Sequence, residues 1–381
     1  MIQHSKLAPS SAARRVACPG SRALEANYPE DKESPYAREG EAAHWVASEV
    51  LKRRGSISQL HNVAPNGEYI THEMVEGANL YCETIMNSLK KNEKELVSGS
   101  KLEIERAIDI STIHPECWGT PDCWFTTNKD LYIYDYKFGH GFVDVFENWQ
   151  LIEYAAGIFE ELKINGIRDN TFRVHFCIVQ PRSYSRYGTV RWWDVVASDL
   201  RAYFNILRHA EEESFKNAAQ CKPSPECTYC RGRHACEALQ RSTLRTVDVT
   251  ASNMPMELNS HELGRELLYL RHAAELLDAR ITGLSEQAIA MIRRGERVLN
   301  FNLEQSPGRE VWNVPATDII TMGNLMGIDL AKKIEAITPK QAIKAGLPEQ
   351  LIKDKTMQTK GSFKLVEHDT RKAFGGMNEN N

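Results

Sequence analysis

The sequence predicts an α/β fold, a mixed central sheet flanked by helices, followed by a mainly helical C-terminal region. Three observations carry that expectation. Apolar and polar residues alternate with a period of two between about residues 101 and 136, as in half-buried strands. Helical periodicity precedes that stretch and returns after it. The resulting order, two helices, three strands, a helix and a further strand, suits a sheet whose faces are covered by helices.

Residues 36–52 read as a helix with Ala42, Ala43, Val46, Val50 and Leu51 on its buried face. A second helix spans about 72–97 and ends near Ser98-Gly99-Ser100, a turn signal. Lys101 to Ile108 then alternates as a strand. Gly119-Thr120-Pro121 breaks the chain before a second strand around Asp122 to Thr126. A turn at Asn128-Lys129-Asp130 leads into a third strand, Leu131 to Tyr136, and the three make a meander. A helix over 147–164 and a Val-, Ile- and Phe-rich strand over 171–180 complete the core. Farther on, the leucines of residues 259–295 mark a long amphipathic helix or a helical hairpin. The domain plan is therefore 1–240, a helical accessory region over 241–337, and a polar, partly disordered tail over 338–381.

Hydrophobic residues make up 42% of the 381-residue chain and charged residues 26%, ordinary values for a globular protein. No apolar run is long enough for a transmembrane helix, and the N-terminus lacks the apolar core of a secretory signal. The expected location is cytoplasmic. A net charge of −4 excludes a bulk polycation, so any phosphate-binding surface must be local. Lys6, Arg14, Arg15 and Arg22 precede the first acidic residue, Glu25, and form one candidate. On charge alone the favoured reading of that segment is an ordinary solvated basic stretch.

Nine cysteines in a reducing compartment do not suggest disulfides. Cys221, Cys227, Cys230 and Cys236 crowd together, which suggests a metal or cluster site. A structural zinc site made from those four is one sound chemistry. Cys82, Cys117, Cys123 and Cys177 read as core thiols.

The acidic constellation carries the functional expectation. Asp135 and Lys137 are two apart and point to one face of a strand. A hairpin turning at Asn128-Lys129-Asp130 brings Asp122 close to Asp135. Two carboxylates and an ammonium at one point make a minimal site for metal-assisted phosphodiester hydrolysis: carboxylates hold a hard divalent ion, and a lysine offsets charge on the phosphate. His44, on the first helix, offers an imidazole ligand. Gln150 and Tyr154, four apart, share one helix face.

In this order, His44, Gly119-Thr120-Pro121-Asp122, Asp135-Tyr136-Lys137 and Gln150 to Tyr154 resemble the RecB-like branch of the PD-(D/E)XK nucleases. The resemblance covers residues 1 to about 240 and implies a restriction-endonuclease-like core. It implies magnesium or manganese ligation by His44, Asp122, Asp135 and the Tyr136 carbonyl. Lys137 takes a catalytic role, with Gln150 and Tyr154 on the substrate side. Glu103 or Glu105 is a candidate supporting acid, and the choice between them stays open. Cys227-x2-Cys230-x5-Cys236 with Cys18 far upstream is similar to the iron–sulfur nucleases of that branch, which include CRISPR-associated exonucleases. That pattern implies a 4Fe-4S cluster stapling the two ends of the domain.

The region after about 240 is more weakly similar to phage and prophage proteins encoded among replication and recombination functions. The expected activity is a DNA exonuclease acting on single-stranded or resected ends, with a phage single-strand annealing or replication protein as partner, and with an oligomer left open. The rival expectation is a DNA-binding scaffold that carries an iron–sulfur or zinc site and a vestigial nuclease centre.

Overall fold

A computed structural model of the chain describes residues 7–28, 35–53, 63–96, 101–165, 170–183, 185–250, 259–301 and 303. The chain divides into two units, Met1–Leu299 with Thr370–Asn381, and Asn300–Asp369, and the elements below all belong to the first. The expected tail over 338–381 lies outside the described residues, as does most of the accessory region beyond 303.

Period-two alternation builds a mixed five-stranded sheet from β1 (Glu103–Ile104), β4 (Cys123–Thr126), β5 (Asp130–Tyr136), β6 (Arg173–Val179) and β7 (Val190–Val196), in the order β1-β4-β5-β6-β7. β5 and β6 pair in parallel and the other neighbours are antiparallel. A parallel pair needs a crossover, and α5 (Trp149–Glu161) supplies it. The side chain of Asn148 caps that helix by accepting the Leu151 N–H at 3.2 Å. A small ribbon, β2 (Ile108–Asp109) with β3 (Trp118–Gly119), interrupts the meander.

Alternation sorts the sheet into two buried faces. Leu131 and Ile133 of β5, with Val174, Phe176 and Ile178 of β6, pack against α5 and α6 (Ala197–Ser214). Tyr134, Tyr136, Cys177 and Val179 face α3 (Pro35–Lys52) and α4 (His72–Lys91). Cys82 and Cys123 are buried in that second core, as core thiols should be.

Several boundaries differ from expectation. The segment 101–108 is not one strand: β1 stops at Ile104 because Glu105 takes a left-handed φ of 50°. Its N–H is donated to the Asp122 carbonyl at 3.0 Å, which turns the chain there. α4 ends at Lys91, where Asn92 closes the last turn, and a short 3-10 turn follows over Glu93–Glu95. At the N-terminus, α1 (Ala12–Ala17) and α2 (Ser21–Glu25) form from the segment read as solvated and basic. The C-terminal helices are α7 (Glu237–Thr250) and α8 (Ser260–Arg293), the latter a single helix rather than a hairpin.

Of the basic stretch, Lys6 lies outside the described residues, and the three arginines are engaged within the protein rather than solvated. Arg15 is buried at 3% exposure, with its Nε 2.5 Å from Glu211 and its Nη2 3.1 Å from Glu153. Arg14 pairs with Glu25 at 3.3 Å, and Arg22 donates to the Ser214 carbonyl while lying 3.8 Å over the Phe215 ring. Arg15 and Arg22 thus bind the N-terminal arm to α5 and α6. Among the described residues no helix is long and apolar enough to cross a membrane.

Candidate functional site

The C-terminal end of β5 is where the two faces of the sheet meet. Asp135 and Lys137 point to the α5 side, while Tyr136 points to the α3 and α4 side. Lys137 Nζ lies 3.0 Å from each Asp135 oxygen and donates to Gln150 Oε1 at 3.1 Å. Gln150 donates onward to Asp135 Oδ1 at 3.2 Å and reaches the Tyr154 hydroxyl at 3.4 Å. That hydroxyl donates to the Thr120 carbonyl at 3.2 Å, so α5 is fastened to the turn leading into β4. Gly119 allows the approach, since a Cβ there would fall 2.7 Å from Pro9 and 2.8 Å from the Tyr154 ring.

Asp122 sits on the other side of Asp135. One oxygen accepts the Tyr136 N–H at 2.7 Å, and the other lies 3.3 Å from His44 Nδ1. The His44 ring stands edge-on to Tyr136 at 5.4 Å. Ligand atoms of His44, Glu105 and Asp122 lie within 4.8 Å of one another. Of the two candidate supporting acids, Glu105 therefore joins the group; Glu103 pairs with Arg106 at 3.0 Å. The left-handed backbone at Glu105 reverses the side that alternation would assign.

The charges are those of a site short of a cation. Burial works to raise the pKa of Asp122, but His44, Lys137 and the Tyr136 N–H outweigh it and hold the carboxyl below its usual range. Asp135 is pushed up by burial and by Asp122, over the opposition of Lys137. Glu105 is pushed up to about 7 by burial and by Asp122. His44 and Lys137 are raised despite burial, each by facing carboxylates. Asp135 Oδ2 is buried and makes no hydrogen bond, its partner being the Lys137 ammonium of the ion pair at 3.0 Å. Carboxylates crowded in this way favour a bound divalent ion. The donor set, one imidazole, carboxylate oxygens and the nearby backbone, fits magnesium or manganese.

A second constellation forms where the N-terminal arm meets the segment after α6. Cys18, Cys221, Cys227, Cys230 and Cys236 line one small cavity, together with Arg14, Leu24 and Leu239. Backbone amides point at the sulfurs: Lys222 N–H to Cys18 at 3.2 Å and Ser224 N–H to Cys227 at 3.4 Å. Cys221 was expected only as a zinc ligand. It lies beside Cys18 and Cys236 in the cavity, and its proximity lowers Cys18 to about 7 and Cys236 to about 6 while its own thiol is raised. Such a set suits a thiolate-bound metal or cluster, since amide hydrogen bonds stabilise ligand sulfurs. Gly20 closes the cage, because a Cβ there would fall 2.6 Å from the backbone of Gln220 and Cys221. From the far side, Arg233 reaches Glu286 of α8 at 2.5 Å and Gly283 packs on Arg233.

Sequence reasoning missed two groups. The Arg15–Glu153–Glu211 triad is wholly buried, and Cys117 adds its thiol to Glu153 at 3.5 Å. Glu153 is pushed up to about 7 by burial, against the pull of Arg15. His175 stands between Asp194, at 2.7 Å, and Asp130, at 3.2 Å, with Tyr132 stacked on its ring.

A family model described as "Protein of unknown function (DUF2800)" matches residues 4–372, and the chain belongs to that family.

Proposed function

We propose that the protein is a metal-dependent DNA exonuclease of the PD-(D/E)XK class, RecB-like in type, acting on DNA ends. The observation that supports this reading best is the single cluster of His44, Glu105, Asp122, Asp135, Lys137, Gln150 and Tyr154 at one strand end. Parts that come from five segments of sequence meet there, each of a type the hydrolysis needs. Magnesium or manganese would be held by His44, Asp122 and Asp135, with Glu105 and the Tyr136 carbonyl as further donors. When bound, the ion polarises the phosphoryl oxygen and makes hydroxide accessible near neutral pH.

The remaining work belongs to the side chains. Asp135 and Gln150 fix the Lys137 ammonium, so its charge faces the scissile phosphate without further ordering. The Tyr136 N–H fixes Asp122, leaving the other oxygen toward His44. Tyr154 locks Gln150 from behind. The cysteine cage would hold a 4Fe-4S cluster through Cys18, Cys227, Cys230 and Cys236, with Cys221 beside it; a zinc ion held by Cys221, Cys227, Cys230 and Cys236 is the competing occupant. The bound group would cross-link the arm to the segment after α6.

The test is cleavage of a labelled linear DNA with magnesium or manganese, against chelator and against Asp135→Ala. Cleavage that needs the metal and falls at least about a thousandfold in the variant supports the reading, because metal-assisted charge stabilisation is worth several kcal/mol. Tight DNA binding with no cleavage under any metal would instead favour the scaffold.

A further inference from the structure

We infer that the loop following Lys137 carries a nucleobase-stacking platform, Phe142 with Tyr187, that receives an unpaired nucleotide at the end of the bound DNA strand. The inference rests on the nuclease reading and names the form of DNA end that the site selects.

Two buried polar side chains hold this loop. Gln180, fully buried at the end of β6, donates from Nε2 to the carbonyls of Gly139 and Gly141, each at 2.7 Å. Its Oε1 accepts the Val143 N–H at 3.3 Å and the Arg191 guanidinium at 2.7 Å. Arg191, itself buried, also donates to the carbonyls of Val143 at 2.8 Å and Gly188 at 2.9 Å. Burying an amide and a guanidinium is unfavourable unless their hydrogen bonds are made, and here the loop backbone makes most of them.

What that scaffold presents is an exposed ring. Phe142 is 45% exposed, although fully burying a phenylalanine would gain about 1.5–3 kcal/mol. It lies five residues beyond Lys137 in the chain, and the Gln180 that holds its loop follows Val179, whose carbonyl accepts the Lys137 N–H at 2.9 Å. The Arg191 guanidinium lies over the Phe142 ring, 4.9 Å from its centroid. Tyr187 sits 6.1 Å away at a tilt of 35°, and Arg186 lies 4.8 Å over the Tyr187 ring. The result is a run of guanidinium, ring, ring and guanidinium.

That chemistry suits an unpaired base with its phosphate. Every base offers a π-face to a ring, and the exposed Arg186 guanidinium, unlike the buried Arg191, is open to the phosphate charge. A base inside the duplex has both faces covered by its neighbours and a terminal pair has one covered, whereas an unpaired base at the end of an overhang can be enclosed by the rings. The carboxylates of Glu39 and Glu73, both within the electrostatic reach of His140 of the same loop, share one guanidinium, Arg182, at 2.7 and 2.8 Å, so their charge is partly offset there.

The experiment uses the full chain with calcium in place of magnesium. The probes are a blunt duplex and the same duplex with a single-stranded overhang that ends in a fluorescent adenine analogue. Phe142→Ala should weaken overhang binding about tenfold to a hundredfold and abolish the stacking-induced quenching. Phe142→Trp should retain both, and blunt-end binding should change less than about threefold, well below the loss of one base stack. Unchanged overhang binding in Phe142→Ala, or an equal loss for both probes, overturns the platform. Quenching that depends on Phe142 in a protein that never cleaves with magnesium or manganese would sink the nuclease reading and leave the platform standing. Metal-dependent cleavage with a silent Phe142→Ala would do the reverse, and wild-type protein that binds neither probe removes both.

Discussion

The carboxylate cluster and the cysteine cage are built in opposite ways. Four of the carboxylate-side residues, Asp122, Asp135, Lys137 and Gln150, come from one short stretch of chain, and a hairpin plus one capped helix bring them together. The cage joins residues at the two ends of the core: Cys18 accepts a hydrogen bond from Lys222, 204 residues away. The first constellation has a local geometry and a surplus of buried negative charge. The second has little geometry until the whole domain is assembled. A bound ion at the first would mainly relieve repulsion; a bound group at the second would mainly restrain chain ends. Ligand–metal bonds would then serve chemistry in one place and stability in the other.

The largest effect that would test this contrast is Cys18→Ser. Iron measured after anaerobic purification should fall to background, and the melting temperature should drop, while Asp135→Ala keeps its full iron content. A colourless wild type with one zinc, indifferent to Cys18, would break the comparison on the cage side. Next comes Arg15→Met, which leaves Glu153 and Glu211 buried without their cation. Denaturant unfolding should show a loss of about 3–5 kcal/mol, with a good part recovered when Glu153→Gln is added. A loss below about 1 kcal/mol would mean that the arm is held by other contacts.

A smaller effect separates the two acids near the carboxylate cluster. Glu105→Gln should weaken manganese binding about tenfold or more by titration calorimetry, as loss of a supporting group does, while Glu103→Gln leaves it unchanged. The smallest concerns pH. Burial works to lower the pKa of His175, but Asp194 and Asp130 prevail and hold it above 6.5. A group raised on folding stabilises most below its unfolded value, and that contribution fades as pH climbs through the folded value. Stability should therefore decline by up to about 1 kcal/mol as pH rises above 6.5, and Asp194→Asn should flatten the profile.

The residues legible in the sequence are those whose meeting is encoded by spacing. Asp135 and Lys137 share a strand face and Gln150 and Tyr154 share a helix face, so their mutual contacts follow from periods of two and about four. Arg15 was not legible. Its partners are 138 and 196 residues away, and a lone arginine in a basic run looks solvated until α5 and α6 close over it. Gln180 was hidden for a related reason, since its partners are backbone carbonyls, which no residue type announces. Glu105 could not be chosen over Glu103 because alternation assumes an extended backbone, and the left-handed turn at Glu105 breaks that assumption. β7 and α6 went unread, although Val190 to Val196 carries strand-forming residues.

The distance between Cys18 and the other cysteines has a consequence for synthesis. A ribosome adds about 5–20 residues per second, so the first thiol emerges roughly 10 to 40 seconds before its partners. Throughout that interval Cys18 belongs to an incomplete chain, exposed to oxidants and to stray metal ions. The carboxylates and the lysine pass through no such waiting period, because their neighbours follow within seconds. Nascent chains should therefore fail at the cage first, and the yield of intact protein should depend on the redox state of the cell during translation more than on its supply of divalent ions.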